Sequence, residues 1–186
     1  MRVMTPGTTD GSPLFKARAA GFFWLMTIIT GMFAFIAGGR LFVAGDAAAT
    51  AANVMAHVSL YRLAFVSNLI ATVCYLAVTL FVYLLLKPVS RSVALFGVFV
   101  SLIGCTVAPT GSLLFIAPLD ILGNNQSLSG FTSAQLQAQA LTFLTLSMQV
   151  NDIGMVFFGC HVLSIGYLIR RSTFLPHWLG IPLSCA

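Results

Sequence analysis

Four stretches of this chain stay apolar for longer than any element of a soluble core requires. They run over residues 17–37, 63–86, 93–119 and 140–169. Crossing about 30 Å of hydrocarbon takes about 20 helical residues at a rise of about 1.5 Å each. Lipid offers the backbone no hydrogen-bond partner, so a spanning segment must be a helix or part of a closed barrel. None of the four shows the period-two alternation of a barrel strand, and helices are the reading that remains. The predicted class is all-α: a polytopic transmembrane helix bundle with four full spans and a partial fifth segment. Composition agrees, with 7% charged and 59% hydrophobic residues against roughly a quarter charged in soluble domains.

The formal net charge is +5, and where the cations fall decides what it means. With the N-terminus inside, Arg2, Lys16, Arg18, Lys87, Arg91, Arg170 and Arg171 collect on the inner side, leaving Arg40 and Arg62 outside. This asymmetry over short loops fits the positive-inside rule and places the N-terminus and the end of the fourth span in the cytoplasm. The basic balance is a topology signal, and its partner is the lipid bilayer, with headgroup anchoring the plain role of these cations. No nucleic-acid partner is implied.

Residues 1–16, rich in Pro, Gly, Ser and Thr, read as a flexible cytoplasmic tail. Residues 17–186 form the membrane domain. The first span is too long for a signal-peptide core and no A-x-A site follows it, so it reads as retained. In the outer connection GGRLFVAGDAAATAANVMAHVSLYR, Asp46 is placed to cap a short helix starting at AAATAANVMAH. KPVSRS is a tight inner turn. The final STFLPHWLGIPLSCA resembles the first turns of a fifth span. Its last part, 177–186, is half a bilayer long, so it reads as cut short or as a surface-lying stub.

On the third span Ala94, Gly97, Ser101, Gly104, Ala108 and Gly111 recur at spacings of 3, 4, 3, 4 and 3. They share one face, where small side chains let another helix approach closely. The partner is another helix of this chain, or a second copy in a homo-oligomer. A weaker stripe, Thr27, Gly31, Ala34 and Gly38, lies on the first span. Pro109 is predicted to bend the third span near its outer end.

The polar residues inside the spans are few. Asp152 stands 17 residues above Ile169 and Asn68 stands 18 above Leu86, about 25 and 27 Å at the helical rise. Thr110, beside Pro109, comes to the same height, with Arg40 and Arg62 just above. On the fourth span Thr142, Thr145, Gln149 and Asp152 recur at 3, 4 and 3, next to Asn151. Such a track must face protein or water, and the acid must be paired, hydrogen-bonded or protonated. One expectation is an outward-facing polar cavity lined by Asp152, Asn151, Gln149, Asn68, Thr110, Arg40 and Arg62, taking a small molecule, ion or proton. The other is that Asp152 and Asn68 are hydrogen-bonding glue between two spans.

His161 lies nine residues past Asp152 and half a turn out of phase, about 13 Å away. With Ser101, Thr27 and Thr79 near its level, it reads as a packing residue. The histidines His57, His161 and His177 sit at three different levels, and Cys74, Cys105, Cys160 and Cys185 form no ligand spacing. No metal site, cofactor or catalytic motif is called for.

The segments GRLFVAGDAAATAANVMAH, LYRLAFVSNLIA, LLLKPVSRS and VFFGCHVLSIGYLIRRSTFLPHWLG resemble the bacterial multi-pass membrane proteins grouped as domain of unknown function family 4386. The resemblance implies a bacterial inner membrane and about six spans, two more than the complete ones here. It lends weight to Asp46, Arg40, Arg62, His161 and Pro176, and it brings no established activity. The leading expectation is a non-enzymatic membrane protein binding or passing a small solute or proton. The alternatives are an assembly subunit using the third-span stripe as an external contact, and a membrane-embedded enzyme using Asp46, His57 or Asp152.

Overall fold

The computed structural model describes residues 12–123 and 130–172. They form five helices and no strand: α1 (Pro13–Leu41), α2 (Ala47–Ala56), α3 (Val58–Leu86), α4 (Arg91–Leu122) and α5 (Ser133–Arg171). Four of them are long and apolar enough to cross a membrane, and α2 is the shorter apolar helix between the first two. The all-α membrane architecture read from the apolar stretches is the one found.

Each long helix outruns its apolar stretch, at 29, 29, 32 and 39 residues. Hydropathy marks the part of a helix that sits in hydrocarbon, and backbone hydrogen bonding carries it on into the headgroups. Residues 13–16, assigned above to the tail, are helical. Pro13 takes the first helical position, where its missing N–H costs nothing, and Ser12 Oγ accepts from the Phe15 amide at 3.3 Å. Residues 1–11 of the tail and the 177–186 segment lie outside the described residues.

The spans form a row. α1 lies along α3, α3 along α4, and α4 along α5 in the most extensive contact of the molecule. One end holds Leu86, Ala94, Ile165 and Leu168 packed on Ala20, Val78 and Val82. Because Lys87, Arg91 and Arg171 border it, we call it the basic end. Lys87 Nζ lies 6.0 Å from the Tyr83 ring centroid and the Arg171 guanidinium 4.8 Å from Tyr167, the usual pairing of cations with interfacial aromatics. At the distal end Leu41, Val54, Tyr61 and Leu144 pack together with Phe115 and Leu119. Tyr61 is 1% exposed, stacks on Phe115 at 4.3 Å, and donates its hydroxyl to the Phe115 carbonyl.

Leaning on the distal ends of α4 and α5, α2 follows a turn in which Gly45 takes φ +76°, a left-handed conformation that favours glycine. Asp46 Oδ1 accepts from the Ala49 amide at 2.8 Å at the N-terminus of α2. Thr50 clasps the incoming chain, its hydroxyl bonding both the amide and the carbonyl of Val43 at 3.0 and 3.1 Å.

The six small residues of α4 are all buried. A Cβ on Gly97 would lie 3.4 Å from His161, one on Gly104 would collide with Phe158 at 2.8 Å, and one on Gly111 would crowd Asn151 at 3.1 Å. The stripe therefore receives α5 of the same chain, and Ser101 reaches α3. Facing helices of the same chain, the stripe favours packing within the bundle over an external assembly contact. α4 continues as one helix through both Pro109 and Pro118.

Candidate functional site

The seven residues assigned to an outer cavity do not converge. Asn68 Nδ2 donates to Ser112 Oγ at 2.9 Å, joining α3 to α4. Half-buried Asn151 lies against Gly111, and Ser147 Oγ donates to the Gly111 carbonyl at 2.8 Å, joining α5 to α4. These inward groups do form one layer across three helices. Thr110, Arg40, Arg62, Gln149 and Asp152, by contrast, are exposed on the outside of the row. Thr110 bonds only the Thr106 carbonyl of its own helix, and Asp152 has no hydrogen bond or ion pair among the described residues. Counting residues gives height on a helix but not azimuth. Asn151 and Asp152, about 100° apart at 3.6 residues per turn, look to different sides.

The buried polar groups cluster about two to four turns nearer the basic end. His161 on α5 is 2% exposed, and its Nδ1 lies 2.9 Å from the Tyr75 hydroxyl on α3. Tyr75 is held edge-on by Phe158 at 4.7 Å and by the His161 ring at 5.6 Å. One turn along α3, Thr79 Oγ1 donates to the Tyr75 carbonyl at 2.9 Å and lies 2.6 Å from Ser101 Oγ on α4. Since the single hydroxyl proton of Thr79 is committed to the carbonyl, Ser101 is the donor in that pair. Three helices thus contribute to one hydrogen-bonded group in the middle of the bundle.

The second ring nitrogen of His161 has no bonding partner among the described residues. Among the described residues no buried side-chain nitrogen or oxygen is left without a partner, so Nε2 must keep some open surface. His161 lines a cavity of about 10 Å³ with Thr79, Gly97 and Ser164, which continues past Tyr83 and Ile165 toward Leu168 at the basic end. That is room for about one water. Either tautomer leaves Nε2 as the working end: Nε2–H can donate if the Tyr75 hydroxyl donates its hydrogen bond to Nδ1, and Nε2 can accept if Nδ1–H donates to the hydroxyl.

Tyr75 was missed in the sequence, although it lies four residues before Thr79 and therefore on the same face. Ser112 entered only as a neighbour of Thr110 at the level of Asn68, and Ser147 was missed, because an isolated serine in an apolar run carries no signal until its neighbour is known. The residues considered for an enzyme stay apart: Asp46 caps α2, and exposed His57 bonds its own helix through Nδ1 and the Asn53 carbonyl at 3.1 Å. Among the described residues no three His, Cys, Asp or Glu side chains gather as metal ligands would. Cys74, Cys105 and Cys160 are free thiols, and Cys185 lies outside the described residues.

A family model described as a domain of unknown function (DUF4386) matches residues 19–186. The chain belongs to that family. This DUF4386 chain is also 40% identical over 37 residues to an uncharacterized protein of Archaeoglobus fulgidus, a stretch that makes up 20% of this chain and 23% of that relative. No solved structure matches it. The protein is thus an integral membrane protein of the DUF4386 family, and the match includes the segments that carry Tyr75, Ser101 and His161.

Proposed function

We propose that this protein is a non-enzymatic membrane protein that passes protons, with His161 as the group that takes up and releases them. The observation that carries the reading is a buried imidazole with one nitrogen bonded to Tyr75 and its ring lining a cavity of about 10 Å³. A space of that size excludes solutes larger than water, which narrows a solute-or-proton reading to the proton. Imidazole is the side chain best suited to give and take a proton near neutral pH, and ionisable groups at membrane depth serve such relays. Tyr75 holds the ring through its hydroxyl, and the Thr79–Ser101 pair anchors the Tyr75 backbone one turn along. The cations at the basic end support a cytoplasmic N-terminus and an inner-membrane location, so the cavity would open toward the cytoplasm.

The test uses the full chain in liposomes enclosing a pH-sensitive dye, with a pH step applied outside. Wild type is expected to relax the gradient faster than empty liposomes, and His161→Gln, which keeps a hydrogen-bonding side chain, to return the rate to the empty value. Equal rates for wild type and His161→Gln, or no wild-type flux in either direction of the gradient, overturn the proposal. A second reading is favoured by the edge-on packing of Tyr75 between Phe158 and His161: the pair is glue between α3 and α5. It predicts no flux and a loss of stability in His161→Gln.

A further inference from the structure

Successive glycines of α4 meet α5 at three heights. A Cβ on Gly97 would lie against His161, one on Gly104 against Phe158, and one on Gly111 against Asn151. The first height belongs to the buried imidazole, whose cavity runs toward the basic end and has no lining residue distal to His161 on α5. The third is the layer of Asn68, Ser112, Ser147 and Asn151. Asn151 stands 18 residues above Ile169, about 27 Å by the helical rise, close to the far edge of a hydrocarbon layer of about 30 Å. Its half-buried amide has no bonding partner among the described residues and is left to water from the distal side. About 15 Å of α5 separates it from His161.

In that interval every buried residue among those described is small: Ala71 on α3, Gly104, Cys105 and Ala108 on α4, and Gly154 on α5. The large group set among them is Phe158. Its ring stands edge-on to Tyr75 at 4.7 Å and presses so close to Gly104 that an added Cβ would lie 2.8 Å from it. One turn distal on α5, a Cβ on Gly154 would meet only Val107 Cγ1 within 4 Å among the described residues, at 3.7 Å. Aromatic side chains on a helix lean toward the turn before them. The surface over Gly154 is therefore within reach of the Phe158 ring, and the ring does not occupy it.

We propose that Phe158 is the gate of the proton route, closed in this structure between His161 and the distal polar layer. An apolar ring at a narrow point holds water off by dewetting. With the ring in the Gly104 notch, His161 exchanges protons with the basic end alone. With the ring turned over Gly154, water bridges the imidazole and Asn151, and a proton taken up at Nε2 from one side leaves to water on the other. Glycine at both places lets the ring adopt both positions by passing between staggered rotamers. Such a gate explains how an imidazole served from one end passes protons without a standing leak. The gate rests on His161 as the proton carrier, and two readouts separate the two.

Both use the full chain in liposomes, with Cys74, Cys160 and Cys185 replaced by serine and Cys105, buried inside the interval, retained. Silver ion reaches a buried thiol through water and shields it from maleimide labelling after unfolding. Cys105 is expected to stay unshielded in the chain with native Phe158 and to become shielded in Phe158→Ala. In the dye assay Phe158→Ala is expected to relax the pH gradient roughly tenfold faster, a barrier lower by about 1.4 kcal/mol. Phe158→Leu keeps much of the apolar volume and is expected to fall between in both assays. It decides alone if Phe158→Ala does not fold. Unshielded Cys105 and unchanged flux in the folded variants overturn the gate, even with an earlier unfolding midpoint, because the ring is then packing alone. Shielding in the variants with no proton flux in any chain supports Phe158 as the barrier to water and overturns His161 as the carrier.

Discussion

Tyr75 and His161 exchange one hydrogen bond across two helices, and its worth can be measured. Removing the hydroxyl in Tyr75→Phe leaves His161 Nδ1 without a partner in a place water reaches poorly. The expected loss is about 1 kcal/mol, near the middle of the range for hydrogen bonds between membrane helices, read as an earlier unfolding midpoint in a denaturing-detergent titration. Gly104 predicts a larger effect. A side chain there meets the Phe158 ring at 2.8 Å, and that ring is itself wedged on Tyr75. Gly104→Leu should cost roughly 1–3 kcal/mol by overpacking, while Gly159→Ala, with open space around it, should cost nothing measurable in the same titration. At this scale the sequence was only partly informative. Asn151 and Asp152 looked like one polar pair, but only the structure tells that one faces α4 and the other faces out.

Elements were far more legible than residues. The stripe from Ala94 to Gly111 told its own azimuth, because six small residues in step leave no doubt which side of the helix they share. The single polar residues Asn68 and Thr110 gave height alone, and height matched Thr110 to a layer that is in fact built from its neighbours Gly111 and Ser112. The helix end at Pro13 was underestimated, whereas the helix-permissive sequence ahead of the fourth apolar stretch already allowed α5 to begin outside the membrane. There the capping box of Thr132 and Gln135 starts the helix well beyond the apolar stretch. At the start of α2 the carboxylate of Asp46 holds the first turn. Asp46→Ala should loosen α2 by about 0.5–2 kcal/mol. Amide exchange confined to residues 47–56 would detect it, with α3 to α5 unchanged.

For the whole molecule, the basic end and the distal end must face opposite sides of the bilayer if the four long helices are spans. Single cysteines placed at Ser90 and at Gly45, in a chain freed of native cysteines, should differ in labelling by a membrane-impermeant maleimide. With the N-terminus inside, only the Gly45 position labels in intact cells, and the Ser90 position labels after the membrane is opened. Labelling at both positions in intact cells would remove the spanning reading. The class of the molecule could be read from four apolar stretches alone, since lipid allows so few solutions. The row-like order of the helices could not, because lipid-facing and helix-facing apolar side chains look alike in a sequence.

The length of α5 carries one more consequence. At about 1.5 Å per residue, 39 residues make a rod of about 58 Å, nearly twice the hydrocarbon thickness. A stiff rod embedded over part of its length acts as a lever. Tilting it by about 10° around the level of His161 would swing the Ser133 tip, some 42 Å away, by about 7 Å. Seated against that lever arm, α2 would be carried along with the tip, while the buried imidazole at the pivot keeps its spacing.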